Sequence, residues 1–320
     1  MDLFTKFIHF VAPTTFDNAT IRKAVKLWLS NREEAKLVYG HIRDWDTSQV
    51  TDMSKLFDKA EKFQDIISKW NTCNVITMEH MFRGALAFCS DISEWDTGRV
   101  QNMCGMFAGA ETFNIVISKW NTQSVQNMSF MFCGAKIFNQ PLPWNTCNVT
   151  QMQYMFCNTL AFNQPLPWQT DRVINMSFMF CLATSFNEVI STWDVSNVID
   201  MESMFAGSTA FQQPLRWTPK SVINMKSMFC GATNFNQVIE WDVSNVITME
   251  QMFAEAPSFN QILPWNTSGV QNMTKMFYNA TDYNRKIEHW NLSSLEHYQY
   301  MFYGSKMDDK TYIDRIGLAH

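Results

Sequence analysis

The sequence predicts an α/β repeat solenoid in which every coil holds one short parallel strand and one short helix, with a helical cap at the start. Three observations predict it. Tryptophan recurs at 45, 70, 95, 120, 144, 168, 193, 217, 241, 265 and 290, a period of 24 or 25 residues. With each of these Trp residues as position 0, position 5 is Val from Val50 to Val270 with Leu295 last, and position 12 is Phe without exception from Phe57 to Phe302. Position 18 is aromatic again, from Phe63 to Phe259 and then Tyr283, and all variation in period falls between it and the next Trp. A period of this length corresponds to one coil of a solenoid.

Taken in chain order, residues 1–15 read as a tail or short strand, since the apolar stretch Phe7–Ala12 is too short for a secretory signal and His9 interrupts it. Residues 16–40 read as the cap. Ile21, Ala24, Val25 and Trp28 have the spacing of an amphipathic helix, and Ser30 with Glu33 reads as a capping box that starts a second helix ending at Gly40. An open solenoid exposes its core at both ends, so this cap is expected to cover Trp45 and Phe57.

Residues 41–305 hold the coils. Apolar residues at positions 8, 11, 12 and 15, such as Met103, Met106, Phe107 and Ala110, form the stripe of a short helix. Asp, Asn or Thr at position 7, as in Asp52, Thr77 and Asn102, suits an N-cap, and Gly or Asn at position 14, as in Gly84, Gly109 and Asn158, suits a left-handed stop. Around the Trp the pattern alternates: Ile117, Trp120, Thr122 and Val125 are spaced like L-x-x-L-x-L, which predicts the strand there. After Phe302 the position-18 aromatic is replaced by Asp308, and Tyr298, Tyr300 and Tyr303 suit a partly wet edge. Either the tail 306–320 or a partner in end-to-end contact through this C-terminal coil is expected to cover it.

Composition narrows the function. The chain has 26 Phe, 22 Met and 12 Trp against 11 Gly, which marks one core motif used repeatedly. A net charge of −5 argues against a nucleic-acid partner, and no apolar run is long enough for a membrane span. Cys133, Cys157, Cys181 and Cys230 share one register, and Cys73 and Cys147 another, so reduced thiols are expected in place of a disulfide framework. No Cys-x-x-Cys pair, clustered histidines or catalytic motif is present, so no metal, no cofactor and no enzymatic activity are expected.

Two outward rows are candidates for an interaction face. The residue before each Trp varies freely and includes Lys69, Glu94, Lys119, Thr192, Arg216, Glu240 and His289; it is either a binding surface or an unconstrained one. The residue after each Trp is mostly acidic or amide, with Asp46, Asp96, Asp194 and Asp242; it either caps the following turn or offers a ladder to a cation or sugar. The sequons at Asn127, Asn175 and Asn272 fall in the N-cap register and read as structural, and Asn139-Gln140 and Asn163-Gln164 read as an internal ladder.

The coil wording resembles the BspA-like leucine-rich-repeat surface-protein family, whose repeat reads W-[DN]-T-S-x-V-x-x-M-x-x-M-F-x-G-A-x-x-F-N-Q. It stands here as Trp45-Asp-Thr-Ser-Gln-Val-Thr-Asp-Met-Ser-Lys-Leu-Phe57 and as Asn224-Met-Lys-Ser-Met-Phe-Cys-Gly-Ala-Thr-Asn-Phe-Asn-Gln237. The resemblance implies a leucine-rich-repeat-like solenoid, a place on a cell surface or virion, and a role in adhesion or binding. The function expected is protein–protein interaction or scaffolding with an as yet unidentified protein partner. Carbohydrate-binding adhesion to a glycan is the alternative and a polysaccharide-active enzyme the third.

Overall fold

The computed structural model describes residues 15–308 together with 316 and 317. The tail expected over residues 1–14, and most of that expected after 308, lie outside the described residues.

Two helices open the described chain, α1 (Asn18–Ser30) and α2 (Arg32–Tyr39). Helix α1 buries Ile21, Ala24, Val25 and Trp28. Its N-cap is Asp17, whose side chain accepts from the amides of Ala19 and Thr20 while the Thr20 hydroxyl accepts from the Asp17 amide. The reciprocal capping box is therefore here and not at Ser30 with Glu33. Asn31 caps α2 by accepting from the Glu34 amide at 3.3 Å, and Ser30 donates backwards to Lys26 O at 2.9 Å. A serine in a last helical turn has a free carbonyl four residues back within reach, and that bond wins over capping the next helix. Gly40, at φ +73°, ends α2.

From Trp45 onward the repeats stack in sequence order. One parallel bridge joins each coil to the next, always at position 7, from Asp52 with Thr77 to Asn272 with His297. Between coils the pairing thus falls on the residues read as helix N-caps; a bridge beside a Trp occurs once, where Thr15 pairs with Asp46. Burial does alternate near the Trp, with Leu142, Trp144 and Thr146 inside and Pro143 and Asn145 outside.

The segment read as a helix is a run of turns. The amides at positions 8, 10, 12 and 14 donate forward to carbonyls at positions 7, 9, 11 and 13 of the following coil, as in Met152 to Asn175, Tyr154 to Ser177, Phe156 to Met179 and Asn158 to Cys181 at 2.7–3.1 Å. The amides at positions 11, 13 and 15 close turns onto the residue three before, as in Met155 to Met152 and Cys157 to Tyr154 at 3.2 Å. An α-helix would keep all of these bonds inside the coil and leave nothing to join neighbours. Positions 10 and 14 are left-handed in all eleven coils, including Tyr154 at +59°, Phe178 at +57° and Leu182 at +58°. Apolar residues at positions 8, 11, 12 and 15 face one way in this geometry just as they would in a helix, so the stripe cannot tell the two apart.

Inside, each position forms a column. Phe156 lies 5.6 Å from Phe132 before it and 5.6 Å from Phe180 after it, 4.1 Å from Phe162 of its own coil and 6.0 Å from Trp168. The indole N–H of Trp45 donates to Gly40 O at the end of the cap, and in the coils after it the indole donates to a carbonyl of the preceding coil, as in Trp168 to Leu142 at 2.9 Å and Trp217 to Ile190 at 3.0 Å. Buried Thr hydroxyls at position 2 donate in the opposite direction, as in Thr146 to Gln169 O at 2.7 Å. The columns therefore bury aromatic, thioether and aliphatic groups while these indole N–H and threonine hydroxyl groups stay paired.

The ends are handled by side chains that replace a missing coil. The Asn18 side-chain carbonyl accepts from the amides of Thr51 and Asp52 at 2.9 and 3.0 Å. The Arg22 guanidinium donates to the carbonyls of Ser54 and Asp52, which later in the array receive amides from the coil before. At the far end the Gly304 amide donates to the Asp308 carboxylate at 3.1 Å. There Tyr300 and Tyr303 are exposed, whereas Met301 and Phe302 remain buried.

Candidate interaction edge

Between the position-18 aromatic and the next Trp the chain turns along one edge of the column. Asn residues at position 19 build this turn into a ladder. The side-chain carbonyl of Asn114 accepts from the Asn139 amide, Asn139 from Asn163, and Asn163 from Asn187, at 2.9–3.0 Å. Gln140 and Gln164 add side-chain bonds to Asn114 and Asn139 at 3.0 and 3.1 Å. The coils from Asn114 to Gln212, and again from Asn236 to Asn284, are thereby held to their neighbours at the point where length varies. In the longer coils the extra residue is taken up by a turn from the Trp amide, as in Trp120 to Ile117 O at 3.2 Å.

This edge carries the row before the Trp. Lys69, Glu94, Lys119, Thr192, Arg216, Glu240 and His289 are all exposed. Lys119 and Glu94 form an ion pair across adjacent coils, but both are about 70 % exposed (71 % and 70 %), so solvent screens it. Arg216 and Glu240 flank a cleft of about 450 Å³ floored by Trp217 and Trp241 and bordered by Pro214 and Val238.

The row after the Trp is placed differently. Asp46, Asp96, Asp194 and Asp242 each accept, through Oδ1, the backbone amide two residues on, from Ser48, Gly98, Ser196 and Ser244 at 2.9–3.1 Å. These carboxylates are engaged in holding turns. The sequon residues are engaged likewise: Asn127, Asn175 and Asn272 accept from the amides of Ser129, Ser177 and Thr274 at 2.8–3.0 Å.

Bonds from the backbone amide and hydroxyl of Ser48 hold the Asp46 carboxyl below its ordinary 3.8, and those from the hydroxyl and amide of Ser196 and Ser244 do the same for Asp194 and Asp242. A carboxyl lowered in the folded state adds stability that is complete above its unfolded value and lost as pH falls through the folded one. The melting temperature should therefore fall below about pH 4. A triple Asp→Asn variant at 46, 194 and 242, which keeps the accepting oxygen, should lose fewer degrees between about pH 5 and pH 2.5 than the native chain. Melts by circular dichroism at both pH values check this, and parallel curves would count against it.

One feature of the edge was not singled out from sequence. Position 21 carries Val116, Pro141, Pro165, Val189, Pro214, Val238 and Ile262 in seven consecutive coils, with Val116 50 %, Val189 57 %, Val238 55 % and Ile262 61 % exposed. Aligning the repeats on position 18 brings this row out; aligning them on the following Trp scatters it. At just under ~5 Å per coil the stripe runs for roughly 30 Å. Among the described residues no group of acidic, His or Cys side chains is arranged to hold a metal ion, and no helix is long and apolar enough to cross a membrane.

Three contiguous segments, 29–143, 142–218 and 215–314, match one family model, described as "Mycoplasma protein of unknown function, DUF285". No curated protein and no solved structure matches the chain.

Proposed function

Because the chain belongs to the DUF285 family, whose description assigns no activity, we propose from its geometry that it is a leucine-rich-repeat-like solenoid serving as a non-catalytic protein-binding scaffold. The observation that carries this is the unbroken apolar stripe from Val116 to Ile262 on the exposed edge. Isolated exposed aliphatic residues are ordinary, but a row of seven on adjacent coils is a contiguous patch of the kind that interfaces cover. The charged row of Lys119, Arg216 and Glu240 runs beside it and supplies a polar rim of mixed sign. A narrow stripe along a column fits an extended polypeptide segment better than a compact domain. Adhesion to a glycan through the row after the Trp gains no comparable support, since the aspartates there already serve their own turns.

The test compares three tagged forms in the same native lysate: the unaltered chain, Val189→Asp with Val238→Asp, and Gln126→Ala on a different exposed face. The edge variant is expected to lose a specific protein partner at least tenfold while the Gln126 variant keeps it. Equal capture by all three forms would overturn the proposal. So would binding on a glycan array that the edge variant retains and an Asp194→Ala, Asp242→Ala variant loses.

A further inference from the structure

On the turn face, well away from that edge, three successive coils share one pair of side chains: Phe130 and Cys133, Tyr154 and Cys157, Phe178 and Cys181. The rings stack at 4.5 and 4.4 Å with interplanar angles of 7° and 5°. Each Cys amide donates to the carbonyl of the ring residue three before it, at 3.1, 3.2 and 3.1 Å, so ring and thiol are fixed relative to each other in every coil. The next amides tie the coils together: Gly134 donates to Cys157 O and Asn158 to Cys181 O, both at 2.7 Å. The three cysteines are thus in register on backbones about 5 Å apart, a spacing inside the range that a disulfide spans. All three thiols are free and partly exposed.

The remaining cysteines lack such neighbours. Cys230 shares the register, but Ala206 separates it from Cys181; Cys73 and Cys147 are three coils apart. Eight thiols spread over the array therefore include one continuous ladder.

We propose that Cys133, Cys157 and Cys181 form a modification site that a hydroperoxide oxidises to one disulfide between adjacent coils, with Cys157 the common partner. The thiolate of Cys133 or Cys181 attacks one peroxide oxygen, the O–O bond breaks, and the other oxygen leaves as water (or as an alcohol) after taking up a proton. The sulfenic acid so formed is attacked by the Cys157 sulfur; the S–O bond breaks and its oxygen leaves as water with the Cys157 proton. With hydrogen peroxide, two thiols are oxidised by two electrons, and one disulfide and two waters result. The third thiol can then move the bridge by attacking the Cys157 sulfur and releasing the first cysteine, an exchange with no net change in oxidation. The hydrogen bond from Cys157 favours the thiolate on Cys133 and Cys181, and the same contacts with burial push the Cys157 thiol up.

The experiment treats the full chain with one equivalent of hydrogen peroxide, alkylates the remaining thiols and maps the disulfides by mass spectrometry without reductant. Cys133–Cys157 and Cys157–Cys181 bridges should together exceed any other pair at least tenfold, with the other cysteines recovered as alkylated thiols. Cys157→Ser should lose the bridges by the same factor and leave Cys133 and Cys181 trappable as sulfenic acids. Ala206→Cys fills the gap in the ladder and should add a bridge at 206 to Cys181 or Cys230, which keeps the proposal testable if the serine variant folds poorly. Oxidation of all eight thiols at one rate, dominance of intermolecular dimers through Cys89, or a Cys133–Cys181 bridge in Cys157→Ser would overturn it.

Discussion

Phe156→Ala is expected to remove about 4 kcal/mol of stability, the cost of deleting a fully enclosed aromatic ring whose surroundings cannot collapse. The ring is 0 % exposed and stacks on Phe132 and Phe180 in the coils on either side. Since coils touch only their neighbours, the damage should also weaken the coupling between the two halves of the array. Denaturant unfolding followed by tryptophan fluorescence should then show two transitions in place of one, each with a shallower dependence on denaturant. Phe302→Ala is the comparison, because that ring stacks on Phe277 of the preceding coil in the last repeat. Its cost should be on the order of half that of Phe156, with a single transition retained. A loss under about 1 kcal/mol for Phe156 would mean that the ring does not lie in a dry column.

At Ser203, two substitutions should act in opposite directions. Its backbone is left-handed, at φ +53°, and its amide donates forward to Lys226 O at 2.8 Å. Proline fixes φ near −65° and removes the donor, so Ser203→Pro should cost about 3 kcal/mol or more. Glycine adopts positive φ without a Cβ penalty, so Ser203→Gly should gain about 1 kcal/mol. The serine is buried, and its hydroxyl carries no bond that the glycine would lose to a partner in the described residues. Equilibrium denaturation of both variants decides the matter. Destabilisation by glycine would show that the turn geometry at position 10 is not left-handed.

The aromatic columns were legible in the sequence because burial repeats with the same period as the chain. Trp, Val, Met and Phe at positions 0, 5, 8 and 12 had to share an interior, and their side chains do so from Trp45 to Phe277, with Leu295 and Tyr298 only partly buried in the last coil. The backbone path between them was not legible. A stripe at positions 8, 11, 12 and 15 is produced by a helix and also by successive turns, and only the direction of the amides at Met152, Tyr154 and Phe156 separates the two. The left-handed residues at position 10 gave little warning, because Lys55, Phe130, Tyr154 and Phe178 are not residues that favour that conformation. Glycine at position 14, as in Gly109 and Gly231, did signal it. Of the candidate rows, the exposed one before the Trp and the turn-holding aspartates after it were both readable from alternation. The stripe at position 21 is in register when counted from the Trp before it and out of register when counted from the Trp after it, three or four residues on, so alternation about the Trp does not reveal it.

The forward-pointing amides have an electrical consequence. In each coil the groups at positions 8, 10, 12 and 14 are oriented alike and outnumber the amides that point back, such as Ile76 to Thr51 O, so a net moment builds along the column, where the alternating strands of an ordinary sheet would cancel. The array is a long dipole with its negative pole at the N-terminal end, where carbonyls lack a preceding coil, and its positive pole at the C-terminal end. That polarity is opposite to the one an α-helix has. The charges at the two ends match it: the Arg22 cation sits against the carbonyls of Asp52 and Ser54, and the Asp308 carboxylate takes the amide of Gly304.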